Sequence, residues 1–135
     1  ISEIKTRNMI GKPENLDYFL LGFKDKNNGS IQHKFNFSIT YSSSEKRNYS
    51  SASYCDKWDG CDSENPIDIA LISSKAFGCS SYECDYNEIM ELTLSDDFLR
   101  NNMEEGLSIS FNSKKANNKV TLTSLYIKGY LSIAN

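Results

Sequence analysis

The sequence predicts an all-β fold: one antiparallel β-sandwich of about seven or eight strands, carrying one or two short helices. Three observations carry this. From Ile31 to Tyr41 the chain alternates strictly. Ile31, His33, Phe35, Phe37, Ile39 and Tyr41 share one face, and Gln32, Lys34, Asn36, Ser38 and Thr40 share the other. A period of two with a wet face marks an antiparallel strand half open to water. Short apolar runs then recur, separated by turn signals roughly every eight to twelve residues, the rhythm of a sandwich or barrel. Finally, 135 residues with 39% hydrophobic and 24% charged side chains are enough for one core, and the domain is taken as 1–135.

Residues 1–15 are mixed and polar, with a turn signal at Gly11-Lys-Pro13, and read as a loose arm or a short first strand. Asp17 to Lys24 is dense in Tyr18, Phe19, Leu20, Leu21 and Phe23, and reads as a strand buried on both faces. Asn28-Gly29 suits a tight hairpin before the Ile31 strand. Arg47 to Cys55, rich in Ser and Tyr, reads as an edge strand. Ile67 to Lys75 reads as one apolar strand, and Tyr86 to Leu94 as another with Met90, Leu92 and Leu94 on one face.

Ser95 before Asp96-Asp97 is a helix cap followed by acids that favour the helix dipole, and Gly106 suits the far end. Leu107, Ile109 and Phe111 alternate again, and Val120 with Leu122 begins another strand. Thr123 to Ala134 fits either a helix or a strand, with a short helix preferred. The predicted core is Phe19, Leu21, Phe35, Phe37, Ile39, Ile69, Leu71, Leu92, Leu94, Phe98, Ile109, Phe111 and Leu122.

The four cysteines fall between Cys55 and Cys84 and allow three pairings. Local pairs Cys55–Cys61 and Cys79–Cys84 are favoured, because each closes a short loop of turn-forming residues. Each would contribute roughly 2 kcal/mol by loop-closure entropy. Crossed pairing closes longer loops, and energetics do not exclude it. A zinc site is the weaker reading, since the spacings are wide and the one histidine is distant. The chain begins at Ile1 with neither Met nor a signal peptide. Its address is therefore read from the disulfides, which place it outside a reducing cytoplasm. Heavy use of Lys, Asn, Ser and Ile suggests a bacterial source. Localisation is expected to be periplasmic, attached to the outer membrane or secreted, with a lipid anchor ahead of Ile1 as one route to the membrane.

From Cys79 the chain runs Cys79-Ser-Ser-Tyr-Glu-Cys84, a strand, Ser95-Asp-Asp-Phe-Leu99, Glu105-Gly106-Leu107 and Ser108-Ile-Ser-Phe111. It closes with Val120-Thr-Leu122 and Leu125-Tyr-Ile-Lys-Gly-Tyr130. This order over about the last 55 residues resembles bacterial envelope proteins of the invasion-associated locus B type. The first half lacks the Trp-x-x-x-Cys opening of that pattern. The resemblance implies an exported, virulence-associated β-sandwich and supplies no catalytic residues.

Function is bounded more by exclusion. A net charge of −3 argues against general affinity for nucleic acid. No apolar run approaches the roughly 20 residues of a membrane span. His33 is the only histidine, which removes most nucleophile-activating and metal-binding sets, and no Gly-x-Ser-x-Gly is present. No catalytic residue and no cofactor is therefore assigned, and the chain is read as a non-enzyme. The candidate binding residues are Trp58, Tyr54, Tyr82 and Asp59, since rigid aromatics beside braced loops suit partner recognition. Asp56, Asp59 and Asp62 form a lesser calcium reading, which would assist a glycan-binding module. The leading expectation is a binding protein of the bacterial envelope or exterior with a protein partner. A carbohydrate-binding module and a secreted inhibitor or immunity protein are the alternatives.

Overall fold

The computed structural model describes residues 2–7, 13–55 and 64–134. It is an antiparallel sandwich. One sheet holds β1 (Ser2–Arg7), β2 (Pro13–Lys24), β3 (Ile31–Ser43), β7 (Cys84–Ser95) and β6 (Ala70–Cys79), in the order β1-β2-β3-β7-β6. The other holds β5 (Asn65–Ile67), β4 (Ser51–Cys55), β8 (Leu107–Asn112) and β9 (Asn117–Leu122), in the order β5-β4-β8-β9. Among the described residues two helices, α1 (Asp96–Asn101) and α2 (Ser124–Ala134), complete it.

Alternation sets the core. Phe35, Phe37, Ile39 and Tyr41 of β3 point inward, opposite Leu92, Met90, Glu88 and Tyr86 of β7. Leu107, Ile109 and Phe111 of β8 meet them from the second sheet. The sheets interlock at Phe111, whose ring stacks on Phe37 with centroids 4.3 Å apart and lies 6.2 Å from Phe35. All three side chains are fully buried. Aromatic pairs at this separation add to area burial.

The helices seal the sandwich. Ser95 caps α1, its hydroxyl accepting from the Phe98 N–H at 3.1 Å. The helix ends at Asn101, sooner than a stop at Gly106 implies. Gly106 follows a further turn at φ 82°, where its lack of Cβ removes the steric cost of the left-handed region. Thr123 starts α2, its Oγ1 accepting from the Tyr126 N–H at 3.2 Å. Ile127 and Leu131, four residues apart, are buried on the core. The helical alternative for this segment is the one adopted.

For residues 2–7 the strand alternative is the one adopted, paired to β2 along its length. Four expectations are corrected. β2 is buried on one face only: Leu16, Tyr18 and Leu20 point in, while Leu21 and Phe23 are exposed and Phe19 is half-buried. Apolar residues occupy both parities of that run, so only the register against Ile39, Phe37 and Phe35 selects the inner set. The β2–β3 link is the wider turn Asp25–Ser30, closed by the Gly29 N–H donating to Asp25 O at 2.8 Å, and not a tight Asn28-Gly29 hairpin. The edge strand expected at Arg47 to Cys55 begins at Ser51 and lies inside its sheet, between β5 and β8. Ile67 to Lys75 is not one strand. The chain leaves the second sheet after Ile67 and enters the first at Ala70, where β6 is an edge and Leu71 is exposed.

Phe111→Ala should cost about 3–5 kcal/mol, because the packed sheets relax only partly around the space left by a fully buried ring. Phe23→Ala, on the wet face, should cost less than about 1 kcal/mol. Urea midpoints of the two variants check the contrast.

Candidate functional site

The most built surface feature is the hairpin joining β6 to β7. Cys79 and Cys84 are register partners, with Cα atoms 3.9 Å apart, and are joined by a disulfide. Between them the Ser80 N–H donates to Glu83 O at 2.7 Å. The Ser80 hydroxyl accepts from the N–H groups of Tyr82 and Glu83, both at 3.3 Å. Covalent and hydrogen-bonded closure therefore hold the tip together, and Tyr82 stands out from it at 85% exposure. Beside it a depression of about 450 Å³ is lined by Ser42, Gly78, Cys79, Ser80, Glu83 and Asp85. A Cβ on Gly78 would sit 3.6 Å from the Asp85 carboxylate, an ordinary contact. Asp85 accepts from the Ser42 hydroxyl.

The same apolar exposure runs down β6. Leu71 (53%), Ile72 (54%) and Phe77 (63%) lie open along it. Register shifts between Leu71 and Ser73 and between Ala76 and Gly78 bulge the strand and re-aim Ile72 and Phe77. At its start, Pro66, Ile67, Asp68, Ile69, Ala70, Glu91 and Thr93 line a groove of about 560 Å³.

Two polar clusters, each built on a fully buried side chain, reach from the core toward the surface. His33, fully buried, engages Tyr130 Oη through Nδ1 at 2.7 Å and Asp96 Oδ1 through Nε2 at 2.8 Å. Arg100 Nε donates to the other Asp96 oxygen at 2.7 Å. The bonds from His33 and then Arg100 hold the Asp96 carboxyl below its usual range. This cluster ties β3 to both helices. It also gives the histidine the role of a hydrogen-bonded group near the sheet end. At the other end Glu88, fully buried, accepts from the Tyr41 hydroxyl and from the Tyr49 N–H at 3.1 Å. Arg47 lies 4.1 Å over the Tyr41 ring, donates to Tyr49 Oη at 3.0 Å and pairs with Glu14. Burial pushes the Tyr41 phenol well above its ordinary value and that of Tyr49 up to about 12.

Of the binding residues read from sequence, Tyr82 is on the open tip. Tyr54 is half-buried, its ring edge-on to Phe98 at 4.9 Å beside α1. Phe98 follows the last residue of β7 and Tyr82 precedes the first, so the two tyrosines lie at opposite ends of a strand roughly 40 Å long. Trp58 and Asp59 lie outside the described residues, as do Asp56 and Asp62 of the calcium reading. Cys79–Cys84 pairs as expected. Cys55 is disulfide-bonded, and Cys61, its expected partner, lies outside the described residues. Among the described residues no group of three or more His, Cys, Asp or Glu side chains gathers as metal ligands. Sequence reasoning missed Glu88 and the exposed run on β6. The first had a signal, since Glu88 falls in the inward phase of Tyr86, Met90, Leu92 and Leu94.

Compared with known proteins, the chain matches no family model, no curated protein and no solved structure.

Asp96 yields a pH prediction. Its folded pKa is depressed, so its contribution is present above the unfolded carboxylate value of about 3.9 and is lost as pH falls through the folded value. Wild type should exceed Asp96→Asn in urea midpoint at neutral pH. The gap should close on acidification below about pH 4. A gap independent of pH would contradict the His33–Asp96 account.

Proposed function

We propose that this chain is a non-enzymatic binding module of the bacterial envelope or exterior that recognises another protein. One observation carries the reading: Tyr82 is 85% exposed on a tip braced by a disulfide and by the Ser80 hydroxyl. A rigid aromatic loses little entropy on contact, which is what an anchor residue needs. Phe77 at 63% exposure extends the same surface. The Cys79–Cys84 disulfide is compatible with an oxidising compartment. The likeness of the last 55 residues to envelope proteins of the invasion-associated locus B type points the same way. Against catalysis, His33 has no exposed surface and both of its nitrogens are engaged.

The test is capture from bacterial envelope extracts on the immobilised chain. A saturable partner is expected. Tyr82→Ala and Phe77→Ala should each weaken its capture by about tenfold or more, the scale of an anchor residue. Their melting temperatures should match wild type. Absence of any saturable, Tyr82-dependent partner would defeat the reading.

A further inference from the structure

β6 is ten residues long, and among the described residues only β7 pairs with it. An unpaired edge presents a row of N–H and C=O groups that fits one kind of occupant, another extended chain. The direction of those groups follows from the hairpin. The Ser80 N–H to Glu83 O bond fixes a hydrogen-bonded pair. Hydrogen-bonded and open pairs then alternate back along the ladder, and the bulge before Gly78 takes up one residue. The count turns the N–H and C=O of Ser74 away from β7. Lys46 Nζ donates to Ser74 O at 3.4 Å, a long bond from a flexible side chain that an incoming N–H can replace.

Charge along this edge is ordered. Asp68 is the acid at the groove where β6 begins, beside Glu91, which pairs with Lys34 at 3.5 Å. Lys46 and Lys75 lie at its middle. Glu83 and Asp85 line the depression at its end. A second copy paired antiparallel about Ser74 would set lysine against lysine and acids against acids. A parallel, in-register copy would do the same. Like charges directly opposite are destabilising, so this layout disfavours self-pairing.

We propose that β6 accepts an extended segment of another protein as an added strand, carrying an acidic residue at its middle and basic residues toward both ends. Its apolar side chains would cover Leu71, Ile72 and Phe77. This rests on the binding reading above and names the chemistry of the partner.

Three synthetic peptides of about ten residues with the same apolar positions test it. One has an acidic centre and basic ends, one the inverse charges, and one is neutral. Fluorescence anisotropy against the full chain should show the first binding about tenfold or more tighter than the inverse, with the preference shrinking in high salt. Lys75→Glu, a change at an exposed position, should reverse the preference. Ser74→Pro removes an outward N–H without touching the β7 ladder and should abolish binding of the first peptide in a chain that circular dichroism shows to be folded. Equal binding of the three peptides, a preference that Lys75→Glu leaves unmoved, or a dimer in sedimentation that Ser74→Pro dissolves would overturn the proposal. If the peptides fail while capture from extracts still depends on Tyr82, strand addition falls and the binding reading stands.

Discussion

Two residues, Asp68 and Ile69, carry the chain from one sheet to the other, between the end of β5 at Ile67 and the start of β6 at Ala70. Three Cα–Cα steps reach roughly 10 Å, which is about the separation of two packed sheets. The crossing has no slack. β6 must enter the first sheet directly opposite β5, and β5 is the edge of the second. β6 is therefore an edge strand for a reason of chain length, whatever its composition. Leu71, Ile72 and Phe77 are left in solvent as a consequence.

An apolar edge is a hazard, and several devices manage it. Two bulges break its flatness, Lys75 sits at its middle, and Lys46 covers the Ser74 carbonyl. These devices oppose indiscriminate pairing while leaving the hydrophobic surface in place. The interior is arranged to hold that edge still. Glu88 of β7 gathers Tyr41 and Tyr49 behind it, and the disulfide ties β6 to β7 at the tip. At the far end His33 links the sheet to both helices through Tyr130 and Asp96. Polar groups that lose water on folding regain partners in both clusters, so they specify the packing rather than weaken it.

The fold was legible where the pattern was unambiguous. β3, β7 and β8 alternate cleanly, and the Ser95 cap announces α1, so their inner residues follow from sequence. β2 was not, because its apolar residues occur at both parities and the choice belongs to its register with β3. β4, rich in Ser and Tyr, reads as an edge but lies inside its sheet, and the edge place belongs to the apolar β6. Edge position is a matter of topology, and the apolar run from Ile67 onward gives no sign of the change of sheet. The candidate site was half legible. The spacing of Cys79 and Cys84 marks the braced tip and Tyr82. Nothing in sequence separates Tyr54 from it, since the distance between them arises only when β7 is laid out.

Residue-resolved amide exchange reads without a partner whether β6 is an open edge. The Ser74 N–H, facing outward, should exchange far faster than the Lys75 N–H, which the same ladder turns toward β7. Equal, strong protection of both amides in the isolated protein would mean that the edge is already covered, and would contradict the account.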